Sequence, residues 1–393
     1  MSPLPEGPGR SRPIEVGLRN TNLDLVRGVA VLGILVMNVV SYGLGVGPYF
    51  NLSAGGSETW LDWAVGGFGE VFVDQKFMGL FSVLFGAGVA LFCDRAAQKA
   101  LRPALLSLWR NLLLLGIGFL HSLLWEGDIL VVYALVSPII ILLRNRTPRT
   151  LFLLGGSVVL LSPLAAVLSQ AAVLGDGSGL GAFMSASGEI TATAEGFIAA
   201  DFVARAAGMM LIGVGLYRNG VITGERSIRF YRRMAAIGLG TGLPMAALGL
   251  VWVVAEDFSP QVAFIGTIPN TLGTVPTVMG YASLIILWNR RPTSAHERLC
   301  SVGRLALTNY LTQTIIGVVL LRVMLADIIF TRTMLAAVVA AVWALQLWWS
   351  SAWLGHFRYG PAEWLWRVAT YRRFQPLRRP ASVNQATPRS EPG

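Results

Sequence analysis

Asn111 to Leu135 reads NLLLLGIGFLHSLLWEGDILVVYAL: an apolar helix, a turn of very few residues at Trp125-Glu126-Gly127, and a second apolar helix. His121, Trp125, Glu126 and Asp128 crowd into that hairpin. Ionisable side chains at the edge of hydrocarbon are costly, so an imidazole beside two acids calls for an explanation. Two readings stand. In one, Asp128 is a helix N-cap following Gly127, and His121 and Trp125 are interfacial anchors. In the other, His121 and Asp128 form an oriented proton-transfer pair, with the carboxylate fixing the imidazole tautomer.

Outward from the hairpin, the composition is that of a membrane protein. Of 393 residues, 54% are hydrophobic and 13% charged, against about 25% charged in soluble domains. A net charge of +10 would suggest nucleic acid in a soluble chain. Here the basic residues sit between apolar segments, the positive-inside pattern, and nucleic acid is not an expected partner. Cys93 and Cys300 both fall near basic loops and give neither a disulfide framework nor a metal-thiolate site. No Walker motif, dinucleotide loop, zinc-ligand spacing or nucleophile elbow stands out. No metal and no resident cofactor are expected.

Apolar segments of roughly 20 residues each fit about ten spans, so the fold class is an all-α transmembrane bundle. Residues 1–20 read as a disordered tail, 21–375 as one membrane domain, and 376–393 as a second disordered tail. Loops carrying Arg95, Lys99 and Arg102, then Arg144 to Arg149, Arg218 to Arg233 and Arg290 to Arg298, are placed in the cytoplasm with both termini. Gly43–Asp74, the hairpin turn and Leu174–Glu195 are acidic and placed outside, and Trp60, Trp63 and Phe68 suit the interface. The first span opens Leu-Asp-Leu-Val-Arg-Gly, where Asp24 and Arg27 can pair three residues apart. In the sixth, Asp201 and Arg205 can neutralise each other. The eighth holds TIPNTLGTVP, whose Pro269 and Pro276 predict a broken helix. The ninth opens at Gly303 as GRLALTNYLTQ, placing Arg304, Thr308 and Gln313 near one face beside Asn309 and Tyr310. His296 and His356 flank basic loops and read as solvated. HFRYGPAEWLWRV, from His356, suits an amphipathic helix on the inner membrane surface.

Five stretches carry a resemblance: LDLVRG with GILVMN, KFMGLFSVLFGAG, HSLLWEGDIL, GRLALTNYL and FRYGPAEWLWR. In this order they resemble the YeiB family of bacterial multi-span membrane proteins, a domain of unknown function, over nearly the whole chain apart from its tails. That family is similar to a wider group of transmembrane acyltransferases with an LDxxRG-like start and an essential membrane histidine. The resemblance implies acyl transfer from a cytoplasmic acyl-CoA-type donor to an external, glycan or lipid-linked acceptor, in the bacterial cytoplasmic (inner) membrane. By it His121 is the base or acyl acceptor and Asp128 its orienter. Arg27, paired with Asp24, and Arg304 bind acidic groups at the cytoplasmic mouth, and Asn309 and Gln313 line the path.

Two alternatives remain: a transporter or exporter using the same ionisable residues, and a structural envelope protein whose polar residues only join helices. A homo-oligomer is compatible with the sequence. One geometric point weighs on acyl transfer. The topology puts His121 toward the external face and Arg27 toward the cytoplasm, across hydrocarbon about 30 Å thick, so a single site requires a channel for the donor's reactive arm.

Overall fold

A computed structural model describes residues 20–99, 101–176 and 192–379. Among them there is no strand, and nine helices are long and apolar enough to cross a membrane. The chain runs through α1 (Thr21–Gly43), α2 (Trp60–Phe68), α3 (Lys76–Gln98), α4 (Pro103–Ser122) and α5 (Leu130–Leu143). It continues through α6 (Pro148–Val159), α7 (Leu161–Asp176), α8 (Ala192–Arg218), α9 (Ile228–Ala255) and α10 (Ile268–Trp288). The last part comprises α11 (Ser294–Arg304), α12 (Ala306–Gly317, extended by a π-helical segment to Met324), α13 (Arg332–His356) and α14 (Pro361–Tyr371).

α1 is the hub. Asn20 caps it by accepting from the amides of Asn22 and Leu23, and α3, α10, α11, α12 and α13 all pack around it. Its first half joins a core with α3, α8 and α10, and its second half a core with the α4–α5 hairpin, α12 and α13. Around this centre, Leu112, Phe119, Leu142, Leu153 and Leu248 are exposed, the apolar belt that a bilayer covers.

α5 is the exception among the spans. Its 14 residues make about 21 Å of helix, short of a hydrocarbon core of about 30 Å. Its start meets the end of α4 in a turn whose residues differ in burial: Trp125 is 7% and Ile129 5% exposed, whereas Leu123, Leu124, Glu126 and Gly127 are exposed. Trp125 is thus no interfacial anchor. Its indole donates to the Ser41 hydroxyl at 2.9 Å and meets the Tyr42 ring edge-on at 5.0 Å.

Other expectations are corrected. The eighth span is continuous from Ile268, because Pro269 falls in the first turn, where its missing amide has no partner to lose. Pro276 sits within the helix, and the Thr277 hydroxyl donates to the Gly273 carbonyl at 2.7 Å beside it. The ninth span begins at Ala306, not Gly303, since Gly303 and Arg304 end the separate helix α11. His296 is buried, and with Thr293 it closes the capping box of α11. At the C-terminus the ordered chain passes 376: Phe357 bridges Arg378, and the Arg379 amide donates to the His356 carbonyl at 3.0 Å. Of the disordered tails expected at 1–20 and 376–393, residues 1–19 and 380–393 lie outside the described residues, as does most of the Leu174–Glu195 loop.

Candidate functional site

The hairpin tip closes on a glycine. A Cβ on Gly118 would stand 2.8 Å from the Val131 amide nitrogen and 3.0 Å from an Asp128 carboxylate oxygen. Only hydrogen there lets α5 approach α4 so closely, and His121 follows on the same face almost one turn later. His121 Nδ1 lies 2.7 Å from Asp128 Oδ1, with both side chains buried. The other carboxylate oxygen accepts from the Val131 amide at 2.9 Å. Asp128 therefore serves both the first turn of α5 and the imidazole, although the N-cap residue of that helix is Ile129. Tyr310 on α12 donates to Asp128 at 3.4 Å, and its ring centre is 5.1 Å from that of His121. With the carboxylate accepting the Nδ1 proton, Nε2 carries the lone pair. That nitrogen is buried and has no hydrogen-bond partner among the described residues.

A cavity of about 380 Å³ runs between the arginine-rich end of the bundle and this pair. Six arginines line it (Arg27, Arg95, Arg110, Arg304, Arg358, Arg367) against two acids, Asp24 and Glu363. Phe81, Leu84, Phe85, Val89, Leu114 and Leu130 give it apolar walls, and Tyr310 also faces it. His121 is not itself in the wall, but its ring centre lies 5.1 Å from that of Tyr310, which is.

Two close approaches of backbone build the mouth. A Cβ on Gly28 would meet the Leu299 carbonyl oxygen at 2.1 Å, and one on Gly303 would meet the Asp24 carbonyl oxygen at 1.9 Å. These contacts press α11 onto α1 and bring Arg304 beside Arg27. Arg27 pairs with Asp24 at 3.4 Å, as the spacing suggested. The floor is α14. Glu363 accepts from the Thr308 amide at 3.0 Å and its hydroxyl at 2.6 Å, tying α14 to the start of α12. Burial pushes the Glu363 carboxyl above the usual range, opposed by those same hydrogen bonds.

Of the expected site residues, the structure brings His121 and Asp128 together at the hairpin and Asp24, Arg27 and Arg304 together at the mouth. It sets Asn309 and Gln313 elsewhere. Asn309 donates to the Val302 carbonyl and the Ser350 hydroxyl, both at 3.1 Å, and accepts from the Trp349 indole at 2.7 Å. Gln313 donates to the Val31 carbonyl at 3.0 Å and to Gln346 at 2.9 Å. Both are buried between helices, and neither lines the cavity. The sequence reading missed Arg110 and Tyr371, which do line it. Arg110 was hidden by its place at the basic end of a span, where arginine is ordinary.

A second cavity of about 80 Å³ lies at the acidic end, lined in part by Tyr49, Glu70, Asp74, Asp201, Arg205 and Asn270. Asp201 and Arg205 are paired there through two 2.9 Å contacts from the Arg205 Nε. Lys76 nearby is fully buried and donates to the Glu70 carbonyl at 2.9 Å and to Asn270. Among the described residues no group of His, Cys, Asp and Glu is arranged to hold a metal ion.

Comparison with known proteins places relatives around this architecture. The family described as "Protein of unknown function (DUF418)" matches residues 216–373. The chain is 35% identical to "Uncharacterized protein YeiB" of Escherichia coli, over 91% of this chain and 98% of that protein. It is 28% identical to "Uncharacterized protein YxaH" of Bacillus subtilis, over 92% and 96%. It is also 26% identical to an uncharacterized 39.9 kDa protein encoded in the amylase 3' region of Bacillus acidopullulyticus, over 93% and 97%. No solved structure matches.

Proposed function

The chain belongs to the YeiB family, and from that membership and the cavity before the hairpin tip we propose a membrane acyltransferase. It moves an acyl group from a cytoplasmic acyl-CoA-type donor to an external or lipid-linked acceptor. The membrane is the bacterial cytoplasmic one, with the arginine-rich end inward. One juxtaposition carries the reading: a cavity with an arginine rim reaches Tyr310, and in contact with that ring is a histidine oriented by a carboxylate, its Nε2 buried and without a partner among the described residues. The rim suits a polyanionic head group, and the apolar walls suit a thioester arm.

In the reaction the Nε2 lone pair of His121 takes the proton of an acceptor hydroxyl while the hydroxyl oxygen attacks the thioester carbonyl. A C–O bond forms and the C–S bond breaks. The sulfur leaves as thiolate and takes the proton back from the imidazolium, so the donor departs as a free thiol. Asp128 stabilises the transient imidazolium.

The test uses the purified protein in nanodiscs with acetyl-CoA, reading thiol release with water as the surrogate acceptor. Wild type is expected to release thiol, His121→Gln to bind acetyl-CoA without release, and Arg27→Met and Arg304→Met to bind it more weakly. Absence of acetyl-CoA binding in wild type refutes the reading. Passage of acetyl-CoA across liposomes without chemical change replaces it with transport.

A further inference from the structure

Arg110 is the charge in the main cavity that the proposed reaction leaves unused. Its guanidinium lies 4.6 Å from the Phe92 ring centre and 4.0 Å from that of Trp366, so two aromatic faces hold it. The half-buried guanidinium makes no hydrogen bond or ion pair among the described residues, and it presents five N–H donors. Beside it, Tyr371 of α14 is 5% exposed, lines the same cavity, and has a hydroxyl with no hydrogen-bond partner. A half-buried guanidinium and a buried hydroxyl, from two different helices, therefore line one cavity.

Their positions are fixed by backbone contacts. The Trp366 indole donates to the Arg110 carbonyl at 2.9 Å, and the Trp109 indole to the Ala369 carbonyl at 3.1 Å, so α14 is strapped along α4. Arg367 is held nearby, stacked on Tyr359 and on Tyr371 at 5.1 and 5.2 Å. A guanidinium held between rings offers a fixed edge for two parallel hydrogen bonds, the geometry that recognises phosphate or carboxylate. Six arginines against two acids in the lining favour the more highly charged of these, a phosphoryl group.

We propose that Arg110 and Tyr371 form a phosphate-binding subsite, so that α14 supplies part of the ligand site as well as its floor. The ligand is a phosphate ester or anhydride. Its assignment to the donor rests on the acyl-transfer reading; the subsite itself does not.

Inorganic pyrophosphate is the probe, titrated onto the full-length protein in phosphatidylcholine nanodiscs at fixed ionic strength. Wild type is expected to bind it. Arg110→Met, which keeps an unbranched chain between the two rings, is expected to lower affinity about tenfold or more with little change in unfolding midpoint, as loss of a charged hydrogen-bond pair implies. Arg110→Lys is expected to restore only part of it. Tyr371→Phe removes one oxygen and is expected to lower affinity severalfold, and it decides the matter alone if Arg110→Met does not fold. Unchanged affinity in Tyr371→Phe together with unchanged affinity in any folded Arg110 variant overturns the proposal. So does citrate binding as tightly as pyrophosphate, which makes the site a carboxylate site. Discs containing phosphatidic acid separate the sources: competition there identifies a lipid phosphate, its absence a soluble one. Wild type that binds pyrophosphate but not acetyl-CoA keeps the subsite and sinks the acyltransferase. Acetyl-CoA binding indifferent to both substitutions keeps the acyltransferase and overturns the assignment of the subsite to its donor.

Discussion

Gly303→Ala tests whether the α1–α11 contact sets the cavity mouth. The added methyl would stand 1.9 Å from the Asp24 carbonyl oxygen and 2.7 Å from the Gly28 nitrogen. Even a close C–H···O contact keeps carbon and oxygen about 3.3 Å apart, so the helices must separate by more than about 1 Å. Both obstacles are backbone, and no side chain can swing away. Overpacking of this kind costs about 1–3 kcal/mol. Arg304 is the next residue, so the separation also moves one side of the arginine rim away from Arg27. Thermal unfolding in nanodiscs should show a lower midpoint, and pyrophosphate or acetyl-CoA affinity should fall with it. Gly116→Ala is the control, because a Cβ there meets nothing within 4 Å. It should be neutral or slightly stabilising, as alanine is the better helix former by up to about 1 kcal/mol. Gly303→Ala melting with wild type, or both variants losing stability alike, would refute the reasoning.

Two other outcomes follow from the hairpin and from α14. Asp128→Asn should impair thiol release nearly as much as His121→Gln, with the double variant little worse than either, because the pair acts as one unit; small additive losses would mean independent structural roles. Burial raises the Glu363 carboxyl, so the folded state holds this proton more tightly than the unfolded chain. Its contribution to stability is full below the ordinary glutamate range and declines as pH rises through the raised value, so Glu363→Gln should flatten that decline in unfolding midpoint against pH.

The fold was legible because hydrocarbon imposes a simple rule on sequence: apolar stretches of sufficient length, with arginine on one side. Pairs within one helix were legible for the same kind of reason, since Asp24 with Arg27 and Asp201 with Arg205 follow from helical spacing alone. His121 and Asp128 were legible because their turn is so short. What needed coordinates was depth and facing. The polarity of Asn309 and Gln313 signals hydrogen bonding between helices as readily as a ligand path, and only the positions of Val31, Val302 and Gln346 separate the two. Pro276 misled because a missing amide predicts a break only where neighbours do not hold the helix together. The threonine hydroxyl after it and the glycine-lined contact with α9 hold it here.

Two irregularities bear on how the mouth and the hairpin are related. α5 is shorter than the nine long helices, and the turn before it joins it to the end of α4 at the His121–Asp128 pair. The break at Leu305 ends α11 and starts α12 afresh at Ala306, so Tyr310 stands little more than one turn above the arginine rim. An unbroken helix from Ser294 would not fold α11 against α1, where Gly303 meets the Asp24 carbonyl. The site is therefore built where spans deviate from ideal membrane helices, and those deviations are held in place by buried contacts: Trp125 on Ser41 for the turn, Glu363 on Thr308 for the break.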